Sequence, residues 1–166
     1  MTVTLLRITT DYVDFQDRIR LRCEVEEGSS LDIWLTQRLL ARLVPALCNT
    51  LLTPARDDAY AEVMQAFAQQ SAVSSLVPQA PVQSVQSGPS WLAHVIDLNV
   101  EPEGTRIKFR GEGSHAATVI MEGMHLRQWL AILHNVASAA QWQLDVWPTW
   151  LHESAIPPAN TGAVLH

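Results

Sequence analysis

The sequence predicts an α+β fold of two pseudo-duplicated β-β-β-α units, with antiparallel sheet packed against amphipathic helices. Three observations point there. Arg18-Ile19-Arg20-Leu21-Arg22 is followed by a short turn, the stretch Leu31-Asp32-Ile33-Trp34-Leu35 and a leucine-rich helix. Eighty-eight residues later, Arg106-Ile107-Lys108-Phe109-Arg110 leads through another turn into Thr118-Val119-Ile120-Met121 and a second leucine-rich helix. Between the two patterns, no charged residue occurs from Glu62 to Asp97. Within that interval, 71–90 is Ser, Gln, Val, Ala and Pro apart from Leu76 and Gly88, with little bulky surface to offset the entropy of ordering. The expected organisation is a first unit with an extra helix at 1–70, a flexible linker or long loop at 71–90, a second unit at 91–152 and a frayed tail at 153–166.

Residues 2–9 alternate well enough for a first strand, and the acidic run 11–17 reads as the connection to the next. Across 18–25 the period of two is clean: Ile19, Leu21, Cys23 and Val25 share one face, and Arg18, Arg20, Arg22 and Glu24 the other. The apolar side is expected on a core and the arginines in water. Glu26-Glu27-Gly28-Ser29 supplies a hairpin turn, after which Leu31, Ile33 and Leu35 share a face. Thr36 is a plausible N-cap for a helix striped by Leu39, Leu40, Leu43, Leu47 and Leu51, with a kink or break expected at Pro45. Pro54 and Asp57-Asp58 mark a new helix start, and Tyr60, Val63, Met64 and Phe67 line one face of that helix.

The second unit repeats the scheme with strands at 93–100, 105–110 and 116–121, turns at Pro102-Glu103-Gly104 and Gly111-Glu112-Gly113, and a helix over about 124–140. Ile107 and Phe109 are expected inward, like Ile19 and Leu21. That helix buries Leu126, Trp129, Leu130, Leu133 and Ala137. Trp142, Leu144 and Val146 alternate as a last short strand.

The composition limits the functions. Of 166 residues, 48% are hydrophobic and 17% charged, below the roughly 25% charged residues of ordinary soluble domains. Either part of the surface is covered by another chain or an uncharged tail inflates the apolar count, and the two explanations are compatible. A net charge of −6 argues against a dedicated duplex-DNA binder, which needs a basic face. Six of the eleven Lys and Arg residues nevertheless sit in the two repeated strands: Arg18, Arg20, Arg22, Arg106, Lys108 and Arg110. If the halves pair about a pseudo-twofold axis, these six could merge into an anion-binding patch for an acidic peptide, a phosphate or single-stranded nucleic acid. The simpler expectation is a solvated face whose charges meet Glu24, Glu101, Glu103 or Glu112 on neighbouring strands.

No catalytic residue is assigned. Gly111-Glu112-Gly113-Ser114-His115 joins two strands and so lacks the helix N-terminus that a phosphate loop requires. Adjacent Ser114 and His115 diverge if extended. An enzyme site at Glu112, His115 and His125 stands as a rival reading. No metal or cofactor is implied, because His125 and His134 lie on opposite helix faces and neither Cys23 nor Cys48 lies near a histidine in sequence. Arg38 and Arg42 argue against a membrane span at 33–52. The N-terminus lacks the build of a signal peptide, so a cytoplasmic chain with free thiols is expected.

Of six tryptophans, Trp34, Trp129 and Trp142 are assigned to the core, and Trp147 and Trp150 to an interface. The favoured function is a non-catalytic protein-interaction or scaffold domain, homodimeric and able to bind another protein. A nucleic-acid-binding accessory protein using strands 18–22 and 106–110 is the alternative.

Overall fold

The computed structural model describes residues 1–52, 58–86, 88–152 and 164–165. It is an α+β fold. Strands β1 (Thr2–Val13), β2 (Arg18–Val25) and β3 (Ser30–Leu35) precede helices α1 (Gln37–Thr50) and α2 (Asp58–Ser74). Strands β4 (Ser90–Leu92), β5 (Val95–Glu101), β6 (Gly104–Arg110) and β7 (Ala116–Met121) follow, then α3 (Gly123–Ala139), α4 (Thr149–His152) and β8 (Val164–Leu165).

The alternation seen in the sequence sets the core. Ile19, Leu21, Ile33, Leu35, Ile107 and Phe109 are fully buried, and the interleaved arginines of β2 and β6 lie on the opposite face. Leu40, Leu43, Val44 and Leu47 of α1 join that core, as do Leu126, Trp129, Leu130 and Leu133 of α3. Trp129 meets Phe109 edge to face, and its indole N–H donates to Thr10 Oγ1 at 3.1 Å, which satisfies the one polar atom the ring brings inside. Thr36 caps α1 by accepting from the Leu39 amide at 3.2 Å. The helix runs unbroken through Pro45, which is exposed, so water can take up the carbonyl left by its missing N–H.

The sheet is mixed where an antiparallel one was expected. Its strand order is β4-β3-β2-β1-β7-β6-β5, with β8 also pairing β1. Short turns force antiparallel pairing within β1-β2-β3 and within β5-β6-β7. The junction between the halves has no such constraint, and β1 pairs β7 in parallel through Thr2, Val3 and Thr4. β4 pairs β3 in parallel as well. The sheet also curls. β4 and β5 close opposite ends of the strand order, yet only Ala93 and His94 separate them in sequence. The Ala93 amide donates to Trp34 O at 2.9 Å and the His94 amide to Arg110 O at 2.8 Å, so this dipeptide bridges the two edges. Gly111 makes the approach possible: a Cβ there would come within 2.6 Å of the Trp91 ring.

Several local expectations are corrected. β1 extends to Val13, because Asp11 pairs Arg20 in register and its carboxylate binds both Arg20 and Arg22. The reversal falls on Asp14–Gln16, and Asp17 takes a left-handed conformation at φ 47°. Residues 142–146 form no strand. Gln141, at φ 59°, ends α3, with its amide bonded to Ser138 O and that of Trp142 to Ala137 O, a Schellman arrangement. Trp34 lies on the outer face with Arg20 over its ring, because burying Leu31, Ile33 and Leu35 turns residue 34 outward.

The stretch 71–90, expected as a flexible linker or long loop, is helical at its start, and its described residues from Ser75 to Pro89 form neither helix nor strand. Residues up to Ser74 complete α2, and the chain then crosses the outer face of β1-β2-β3. Val82 is buried; its amide donates to Thr9 Oγ1 at 2.8 Å and its carbonyl accepts from Arg22 at 2.9 Å. Ser84 donates to Asp32 and the Val85 amide to Ser30 Oγ. Polar groups anchor this strap, which a reading based on bulky apolar surface does not register. Of the tail at 153–166, only Val164–Leu165 falls within the described residues, paired to β1.

Candidate functional site

Helix α2 is turned inside out. Tyr60, Val63, Met64 and Phe67 stand at steps of three, one and three residues, which places them within one stripe of a helix surface. That stripe faces solvent: the four are 63%, 66%, 47% and 69% exposed. The face turned inward carries Gln65, Gln69 and Ala72, all buried.

The inward face holds α2 in place through hydrogen bonds. Gln65 Nε2 donates to Leu51 O at 3.0 Å, and Gln69 Nε2 donates to Arg127 O at 2.9 Å. In return Arg127 donates to Gln65 Oε1 at 2.5 Å, and Gln128 of α3 donates to Ala72 O at 2.9 Å. Buried polar groups favour bonded positions, and these bonds, three to α3 and one to the end of α1, fix both the rotation and the height of α2. The geometry leaves the apolar stripe no freedom to turn inward.

Together the four side chains expose on the order of 400 Å² of apolar surface, the size at which a patch tends to mark an interaction site. Beside the stripe, a shallow cavity of about 270 Å³ opens between α2 and α4, lined by Ala59, Glu62, Val63, Ala66, Thr149 and Trp150.

The sites expected from sequence fall elsewhere. Trp150 is buried in the chain's own core, with the Arg127 guanidinium 5.5 Å from its ring centroid, so its apolar face is already covered. Trp147 is half-buried and meets His134 edge to face at 4.9 Å.

The basic strands are separated. β2 and β6 flank β1 and β7, three strand spacings or roughly 14 Å apart along the sheet. Arg20 and Arg22 both reach Asp11, Arg106 holds Glu101 in a two-pronged pair, and Arg110 holds Asp97 likewise. The acids Asp11 and Asp97 were not among the partners expected. Glu24, one of the acids that were, pairs Arg7 instead. Arg18 and Lys108 have no ion-pair partner among the described residues.

Glu112, His115 and His125 do not come together. His115 precedes β7 and His125 follows it, so the length of that strand, roughly 17 Å or more, lies between them. His115 instead stacks on Trp91 and contacts the Glu112 carbonyl. Burial pushes the Cys23 thiol up and that of Cys48 up to about 11, which disfavours a reactive thiolate at either. No group of three or more potential metal ligands occurs among the described residues. Among them, no helix is long and apolar enough to cross a membrane.

Comparison with protein-family models, with curated proteins and with solved structures finds no match.

The sequence did place Tyr60, Val63, Met64 and Phe67 on one face. Which way that face turns is not contained in its period. The signal available was the opposite side, where glutamines and alanines replace the leucines that strip α1 and α3.

Proposed function

We propose that this chain is a non-catalytic protein-interaction or scaffold module that docks its partner on the outward face of α2. The observation that carries the reading is the inverted helix: amides bonded inside, two aromatics, a valine and a methionine outside. Apolar surface of this extent is costly in water, and covering it returns about 25 cal/mol per Å². The low charged fraction of the sequence fits the same reading, as does the neutrality of the stripe itself. Free cysteines fit a reducing compartment such as the cytoplasm. The strand-strand-strand-helix order of both halves is consistent with an internal duplication that supplies the rigid platform for α2.

Nucleic-acid binding through the basic strands has weaker support, since four of the six cations are already ion-paired, Arg20 and Arg22 to the one carboxylate of Asp11.

The test is a photo-crosslinking residue at position 67 of the full chain, activated in the source cell, with the same residue at exposed position 45 of α1 as control. A discrete covalent protein adduct at 67 and none at 45 is the expected result. No adduct at 67, or the same adducts at both positions, overturns the reading.

A further inference from the structure

The docking face of α2 has an internal symmetry. Read from residue 59, the helix runs Ala59-Tyr60-Ala61-Glu62-Val63-Met64-Gln65-Ala66-Phe67-Ala68. Reversed, it is Ala-Phe-Ala-Gln-Met-Val-Glu-Ala-Tyr-Ala. Every position maps onto a residue of the same shape class about a centre between Val63 and Met64. Alanine meets alanine, aromatic meets aromatic, and valine meets methionine.

We propose that the occupant of this face is a second copy of the same chain, docked with its α2 antiparallel about a twofold axis between Val63 and Met64. The proposal rests on the reading of α2 as the docking face and names its partner. A twofold interface must be self-complementary: if residue i of one copy touches j of the other, then j touches i. Antiparallel pairing centred there sets Tyr60 against Phe67 of the second copy at both ends and Val63 against Met64 in the middle.

Three further observations agree. Alanines 59 and 66 border the stripe on one side and 61 and 68 on the other, so bulky groups do not hold the helix axes apart and the spacing can approach the lower end of 8–10 Å. Charge is no obstacle despite the net −6, because the four residues of the stripe are all uncharged. Two stripes with their alanine borders cover roughly 1,000 Å² in total, the floor for a specific interface.

The experiment is sedimentation equilibrium on the full chain, followed by cysteine crosslinking in a Cys48→Ser background. The expected mass is twice 18.4 kDa at micromolar concentration, with Phe67→Glu raising the dissociation constant at least tenfold. Phe67 is 69% exposed, so this variant should keep the thermal midpoint of the parent. Antiparallel pairing leaves two copies of residue 60 about 10 Å apart along the axis, beyond disulfide reach. A mixture of Tyr60→Cys and Phe67→Cys chains should therefore crosslink on oxidation, while each variant alone should not. A monomeric parent, a dimer indifferent to Phe67→Glu, or efficient self-crosslinking of Tyr60→Cys overturns the proposal. A monomer that still gives a position-67 photo-adduct of another mass removes the second copy and leaves the docking face. If both are missing, the docking face falls too.

Discussion

Single residues of this protein separate sharply by what surrounds them. Ile107 is fully buried between sheet and helices, and Ile107→Ala should cost about 2–5 kcal/mol in chemical denaturation. Val100, 71% exposed on β5, is its control, and Val100→Ala should change stability by no more than about 0.5 kcal/mol. His134 of α3 supplies a pH dependence. Burial holds its imidazole below the usual range, and His152, its ring 5.0 Å away, adds to the shift. With the folded value lowered, the unfolded chain binds the proton more readily. The neutral ring leaves stability intact above about pH 6.5, and stability falls as pH drops below that toward the folded value. Urea midpoints between pH 7.5 and 5 should show this decline, and His134→Gln should flatten it. An unchanged slope in the variant would assign the decline to carboxylates. Asp17 bears on a lower window, since the Trp142 indole and the Tyr12 hydroxyl hold its carboxyl below the ordinary range.

Elements are held by polar contacts as much as by apolar ones. The strap at 75–86 lies on the arginine side of the first meander, and Val82 is its only buried apolar anchor among the described residues. Brief digestion with a nonspecific protease should leave this segment intact in the parent chain. Val82→Asp should place a charge against Thr9, release the strap and open it to cleavage. Equal resistance of the two chains would mean that the hydrogen bonds at Arg22, Ser30 and Asp32 suffice. At the head of α1, Thr36→Ala should cost about 1 kcal/mol through loss of the bond to Leu39. One of the two elements was legible. The N-cap follows from a threonine immediately before a leucine stripe. The strap does not, because its stability comes from partners 52 to 73 residues away in the chain.

At the scale of the whole molecule, the curl of the sheet is the decisive feature. The first edge strand β4 hands the chain directly to the last, β5, so the two edges are drawn together beside Gly111. Gly111→Ala should force its new methyl against the Trp91 ring and Leu92 O, at a cost of about 1–3 kcal/mol. If thermal melts show no loss, the edges are not in close contact there.

The sequence by itself determined the inward faces of β2, β3, β6, α1 and α3, though not the outward turn of Trp34 or the absence of a strand at 142–146. Period-two alternation at 18–25 and 105–110, and leucine steps along α1 and α3, are local patterns that divide each element into an apolar and a polar side. It equally determined that Tyr60, Val63, Met64 and Phe67 share a helix face. Only the tertiary structure decided that this face looks outward, that Trp150 is covered by α2 and α3, and that the two basic strands lie apart with their charges paired. The physical reason is common to all three. Periodicity fixes a side chain's angle about its own element, while its environment depends on which distant element comes to lie against it, as where Gln65, Gln69, Arg127 and Gln128 bond α2 to α3 by its polar side.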